Sequence, residues 1–182
     1  MKHRFKSAVV SLILLSACTI SAIAAQTGAV EGVITWQFNE SIGTKGDVNA
    51  HVILFPKKLK RLIAVKDQSL RTAVGSGIIG PDEEALGLRG ANADGFGKVI
   101  LDDVPAGNYI ALIVSENTTR DITKELGADD LDMISTYFAS KAALAMFLRS
   151  PFLKLHKHWF ELIQVYPGKT AHFNHDFGNT YI

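Results

Sequence analysis

Asn92-Ala93-Asp94-Gly95-Phe96-Gly97-Lys98-Val99-Ile100-Leu101-Asp102-Asp103-Val104-Pro105-Ala106-Gly107-Asn108-Tyr109-Ile110-Ala111-Leu112-Ile113-Val114 contains two strands with their turn signals already in place. Asp94-Gly95 supplies residue types that tolerate positive φ in a tight turn, and the run after it reads as a short strand ending at Asp102-Asp103. Pro105 fixes φ and Gly107 is expected to take a left-handed turn, so the chain reverses and enters the apolar run Tyr109 to Val114. Strand, tight corner, strand is a statement about fold. Nothing in it positions a nucleophile, a phosphate or a metal.

The same stretch resembles the core of carboxypeptidase regulatory-like domains, small transthyretin-like β-sandwiches in which a D-G-x-F strand is followed by V-P-x-G-x-Y and another strand. The matching residues are Asp94-Gly95-Phe96 and Val104-Pro105-Ala106-Gly107-Asn108-Tyr109. On either side, Gly32-Val33-Ile34-Thr35 resembles the opening strand, Asn49 to Phe55 the second strand, and Val165-Tyr166-Pro167-Gly168-Lys169-Thr170 the closing hairpin. The resemblance implies a mainly β, seven-stranded antiparallel sandwich that serves as a binding, spacing or folding-support domain without catalytic residues. It specifies fold far better than function.

The first 25 residues read as a secretory signal, with Lys2, Arg4 and Lys6, an apolar run from Ala8 to Leu15, and the small-residue ending Ser21 to Ala25. Leu15-Ser16-Ala17-Cys18 also resembles a lipobox, which would make Cys18 a lipidated N-terminus. Either route predicts export, to the periplasm or cell envelope. Residues 26–182 then form one domain, long enough to bury a real core. The formal charge of +1 includes three signal cations and no signal acid, so the mature chain is slightly acidic. It lacks the basic excess that nucleic acid requires. Cys18 is the only cysteine, so a chain cleaved beyond it has neither a disulfide nor a cysteine-ligated metal.

Val30 to Phe38 alternates, with Val30, Ile34, Trp36 and Phe38 on one parity, which predicts a strand with one buried and one wet face. After a polar turn, Ser41 to Asp47, a second strand is expected over Asn49 to Phe55, and Leu62 to Val65 suggests another. Lys57, Lys58, Lys60 and Arg61 form a basic cluster of the kind usually found on a solvated face. An insertion over about residues 57–90 carries Gly75-Ser76-Gly77 and a short helix beginning at Pro81.

A second insertion, about residues 119–156, reads as helical, its longer helix running from Asp129 or Asp130 to about Arg149, where Ser150-Pro151 stops it. Ile134, Phe138, Ala142 and Ala145 form an apolar stripe, which Tyr137, Met146 and Phe147 widen. Those three residues are the candidate contacts for a protein partner or a second copy of the chain.

The C-terminus reads as a hairpin of Lys157 to Val165 and Thr170 to Gly178 around a type II turn at Tyr166-Pro167-Gly168-Lys169. That register would set Phe160 opposite His175 and place His156, His158 and His175 on one face, a candidate zinc or copper site. Trp159 and Trp36 are the candidate carbohydrate platforms, and a binder should show a polar-rimmed pocket near one of them. Catalytic motifs are missing. There is no G-x-S-x-G, and the Y-R-G-S ending of the transthyretin-like hydroxyisourate hydrolases is replaced by Asn179-Thr180-Tyr181-Ile182. The expectation is a non-enzymatic exported binding or assembly module without cofactor, the alternative being a small-ligand or carbohydrate-binding domain; a periplasmic hydrolase ranks below both.

Overall fold

The computed structural model describes residues 26–39, 41–57, 76–85, 87–123, 132, 135 and 151–179. Its elements in chain order are β1 (Thr27–Asn39), β2 (Gly43–Gly46), β3 (His51–Pro56), α1 (Pro81–Ala85), β4 (Arg89–Asn92), β5 (Lys98–Pro105), β6 (Gly107–Thr119), α2 (Pro151–Leu155), β7 (His156–Val165) and β8 (Thr170–Asn179). Two four-stranded sheets form a β-sandwich. In the first, β8 runs along one edge of β1 while β2 and β5 share the other; the second has the order β4-β3-β6-β7. All pairs are antiparallel except β1 with β8, which makes the first sheet mixed. Among the described residues no helix is long and apolar enough to cross a membrane.

The organising stretch forms its two strands as expected, but its turns work differently. The left-handed residue after Asp94 is Gly97, at φ 80°, not Gly95. A Cβ on Gly97 would lie 2.2 Å from the Ile34 carbonyl oxygen, so the position excludes side chains twice over. Asp94 closes the turn by accepting hydrogen bonds from the Phe96 and Lys98 amides at 2.8 and 2.9 Å. These bonds hold its carboxyl below the usual carboxylate range, with Lys98 adding a smaller pull.

At the following corner Gly107 is not left-handed, contrary to expectation, and its missing Cβ would meet only Tyr109 Cε2 at 3.7 Å. The chain turns earlier. Asp102 and Asp103 together oppose Ala29 in a bulge, and Asp103 adopts φ 53°, a region Asp tolerates better than most side chains. Tyr109 then locks the crossing from the first sheet to the second by donating its hydroxyl to the Pro105 carbonyl at 2.7 Å.

The terminal strands and turn fall where the sequence puts them, yet the strands do not pair with each other. Gly168 takes φ 64° and the Lys169 amide reaches the Tyr166 carbonyl at 3.2 Å, as a type II turn requires. From there β7 pairs with β6 and β8 with β1, setting Phe160 opposite Leu112 and His175 opposite Ile34. Two backbone bonds force the split: Gly168 N to Thr27 O at 2.8 Å and Ala29 N to Lys169 O at 3.0 Å tie the turn to the start of β1. The turn is therefore an inter-sheet corner, and the β7 and β8 edges face each other across a seam.

Between the sheets, Val30, Ile34 and Phe173 of the first pack against Val52, Leu54 and Ile113 of the second. Phe173 lies over Gly32, where a Cβ would sit 2.2 Å from the ring. The second sheet is also buried on its outer side, since Ile53, Phe55, Ile110, Leu112 and Val114 are at most 3% exposed. Sheets covered on both faces take continuous apolar runs, which is why Tyr109 to Val114 does not alternate. Leu88 and α2's Leu153 are buried there as well, and the Arg120 amide ties α2 to the end of β6 through the Leu155 carbonyl at 2.9 Å. The short helix expected at Pro81 is α1. Pro151 begins α2, where proline's missing N–H costs nothing, while the helix end expected before it lies outside the described residues.

Candidate functional site

β7 has an amphipathic parity interrupted by one charge. Trp159, Glu161, Ile163 and Val165 point to the sandwich interior, and Ile163 and Val165 join the core. Because β7 is an edge strand, Trp159 and Glu161 reach the seam rather than the centre. Trp159 stacks on His175 of β8, with centroids 5.3 Å apart and planes at 15°, and His175 meets Phe177 edge-on at 4.3 Å. Even so stacked, Trp159 remains 51% exposed.

Below this stack the seam widens into a cleft of about 300 Å³ whose walls include Glu161, Leu162, Gln164, Tyr166, Lys169 and His172. Burial raises the Glu161 carboxyl above its ordinary range, and among the described residues no side chain pairs with it. A partly buried acceptor at the wall of an open cleft is one that a donor-rich ligand can reach. At the corner end Tyr166 is 51% exposed, with the Lys169 ammonium 5.9 Å from its ring centre. Strand geometry places the two exposed aromatics, seven residues apart, at about 23 Å along the seam.

The candidate metal site does not form. Among the described residues no group of three His, Cys, Asp or Glu side chains could hold a metal ion. The reason is topological: His156 and His158 sit in the second sheet and His175 in the first, so the cross-strand register that would gather them is absent. His158 Nδ1 lies 3.4 Å from the His156 carbonyl and its ring meets Phe160 edge-on. Burial lowers the His175 pKa, partly opposed by Asp176. Of the other candidates, Trp36 packs against the core and meets Phe38 edge-on. Cys18, Tyr137, Met146 and Phe147, the signal, the strand expected at Leu62 to Val65 and the basic residues 58–61 lie outside the described residues, as does all of the long helix but Asp132 and Ser135, both helical.

A second polar cluster was invisible in the sequence. Asp47, read as part of a polar turn, is fully buried. Its carboxylate accepts from the Ser115 hydroxyl at 2.5 Å, the Glu116 and Asn117 amides at 3.3 and 3.2 Å, and the Asn117 side-chain amide at 2.7 Å. Ser115 thus donates to the carboxylate and accepts from the Thr118 amide at 2.9 Å, and because Ser115 and Asp47 are both fully buried, the cluster ties the β2–β3 loop to β6 out of reach of solvent. Nearby, buried His51 places Nδ1 3.0 Å from Asn92 Oδ1 and Nε2 3.6 Å from Glu116.

Fold and seam together define a two-sheet β-sandwich with a polar, aromatic-flanked cleft along one edge. No family model matches the chain, and no curated protein does. Among solved structures it is similar to a candidate carbohydrate-binding protein from Pseudomonas aeruginosa, at 13% identity and a TM-score of 0.43, over 84% of this chain and 89% of that one.

Proposed function

We propose that this chain is a non-enzymatic, exported binding domain of the bacterial cell envelope, related to the carboxypeptidase regulatory-like sandwiches, and that the β7/β8 seam holds a carbohydrate. The observation that carries this reading is Glu161, partly buried and without a partner among the described residues, in a cleft lined by the exposed Tyr166, with the exposed Trp159 two residues before Glu161 on the same strand. Sugars offer apolar C–H faces for aromatic rings and a dense array of hydroxyl donors for a carboxylate and amide, so the cleft matches both halves of their chemistry. Export rests on the signal pattern of residues 1–25. A glycan array probed with the full-length chain tests the reading, followed by calorimetry on any hit with wild type and Trp159→Ala. Binding by wild type that falls at least about tenfold in the variant supports it; a blank array, or a variant that binds as wild type does, removes the seam as the site.

A further inference from the structure

The seam does not end at β8. His172 stands on the outer side of that strand, and besides the seam it lines a second hollow of about 180 Å³ on the outer face of the first sheet. This hollow is a shelf of Glu31, Val33, Lys98 and Asn174 set by strand register: His172 lies beside Glu31, and Lys98 and Asn174 flank Val33 from β5 and β8. Val33 is 39% exposed, and the Glu31 carboxylate and Lys98 ammonium are 3.4 Å apart at the surface.

We infer that the ligand is an extended chain that runs along the seam, turns around the β8 edge at His172 and lies across the shelf. This rests on the carbohydrate reading above and deepens it from a single sugar to an oligosaccharide. Two hollows joined by one shared side chain suit a ligand with repeating units better than a compact one, whose binding would end inside the seam. The charges indicate its kind. Lys169 and Lys98 are matched by Glu161 and Glu31, so neither hollow has the excess of one sign that an acidic polymer needs. Among the uncharged polar side chains of the two hollows, Gln164, Thr170, His172 and Asn174 are suited to pair with hydroxyls. A neutral glycan chain fits this pattern.

Calorimetric titration of the full-length chain with cello- and chito-oligosaccharides of two to six units tests the length. The expected result is affinity that rises by about tenfold or more from the shortest to the longest member of the series that binds. Lys98→Ala, a change within the shelf and outside the seam cleft, should erase that gain while leaving the shortest member, which occupies only the seam, unaltered, with an unchanged melting temperature confirming the fold. Equal affinity at all lengths, or a length gain that survives Lys98→Ala, overturns the extended track and leaves the seam site standing. If no member of either series binds and a glycan array is also blank, the carbohydrate reading fails and the track with it.

Discussion

Two polar clusters in this molecule use similar side chains to opposite ends. At Asp47 a fully buried carboxylate has four donors aimed at it, all from residues 115–117 of β6. In the seam, the Glu161 carboxylate is only half-buried, is pushed toward its neutral form by desolvation, and has no described partner. A saturated cluster stabilises the fold because every member has lost water and regained a bond. An unsaturated one in an open cleft keeps its hydrogen-bonding capacity for something else. Residue type does not distinguish the two; the count of satisfied bonds does.

The sharpest break of this comparison is Asp47→Ala. It leaves the Ser115 hydroxyl and three nitrogen donors without their acceptor and should destabilise the domain by about 3 kcal/mol, lowering the melting temperature by about 10 °C. Thermal unfolding followed by circular dichroism measures it, and a drop of only a degree or two would mean the cluster is not the anchor between the β2–β3 loop and β6. Trp159→Ala comes next. It removes one stacked pair at a half-exposed edge, so about 1 kcal/mol of stability is expected to go, against a much larger relative loss of ligand affinity. A melting temperature that falls as far as for Asp47→Ala would place Trp159 in the core instead of the site.

How much of this was legible in the sequence differs between the two clusters for a physical reason. Strand positions and the Pro167-Gly168 turn are local signals, set by alternation and by φ preferences, and they appear where expected. Pairing is not local. The turn at 166–169 is compatible with a hairpin, and only its bonds to Thr27 and Ala29, far earlier in the chain, send β7 and β8 to different sheets. The histidine cluster depended on that pairing and was lost with it. Asp47 had no signal at all, because its partners lie 68 to 70 residues away. The seam did leave one trace: Glu161 shares the core parity of Ile163 and Val165, and a charge on the apolar face marks a strand at an edge.

Titration gives a third, smaller test. His175 has its pKa lowered in the folded protein, chiefly by burial, whereas the unfolded chain keeps the ordinary value of about 6.5. Between those two values the unfolded state binds more protons, so the His175 contribution to stability is complete above about pH 6.5 and is lost as pH falls toward the folded pKa. Glu161, with its pKa raised, acts in the opposite sense, its contribution being complete at acidic pH and lost as pH rises through the folded value. Melting temperatures taken from pH 8 down to pH 5 in His175→Phe, which keeps an aromatic ring against Trp159, should decline less than in wild type. Parallel curves would show that the stack does not resist protonation.

The smallest expected effect discriminates best between a structural and a binding cluster. Gln164 lies on β7 with its side chain exposed in the seam wall, opposite Asn108, and no hydrogen bond to it occurs among the described residues. Removing such a side chain leaves no buried donor or acceptor behind, so Gln164→Ala should change stability by no more than about 0.5 kcal/mol. If the seam is the site, the same substitution removes a donor and an acceptor from the ligand's wall and weakens binding by a few-fold, consistent with the net value of about 1 kcal/mol for a hydrogen bond. Chemical denaturation and calorimetry on one preparation give both numbers. A stability loss approaching that of Asp47→Ala would mean that the seam side chains, like the Asp47 cluster, are spent on the fold, and the contrast between the two clusters would collapse.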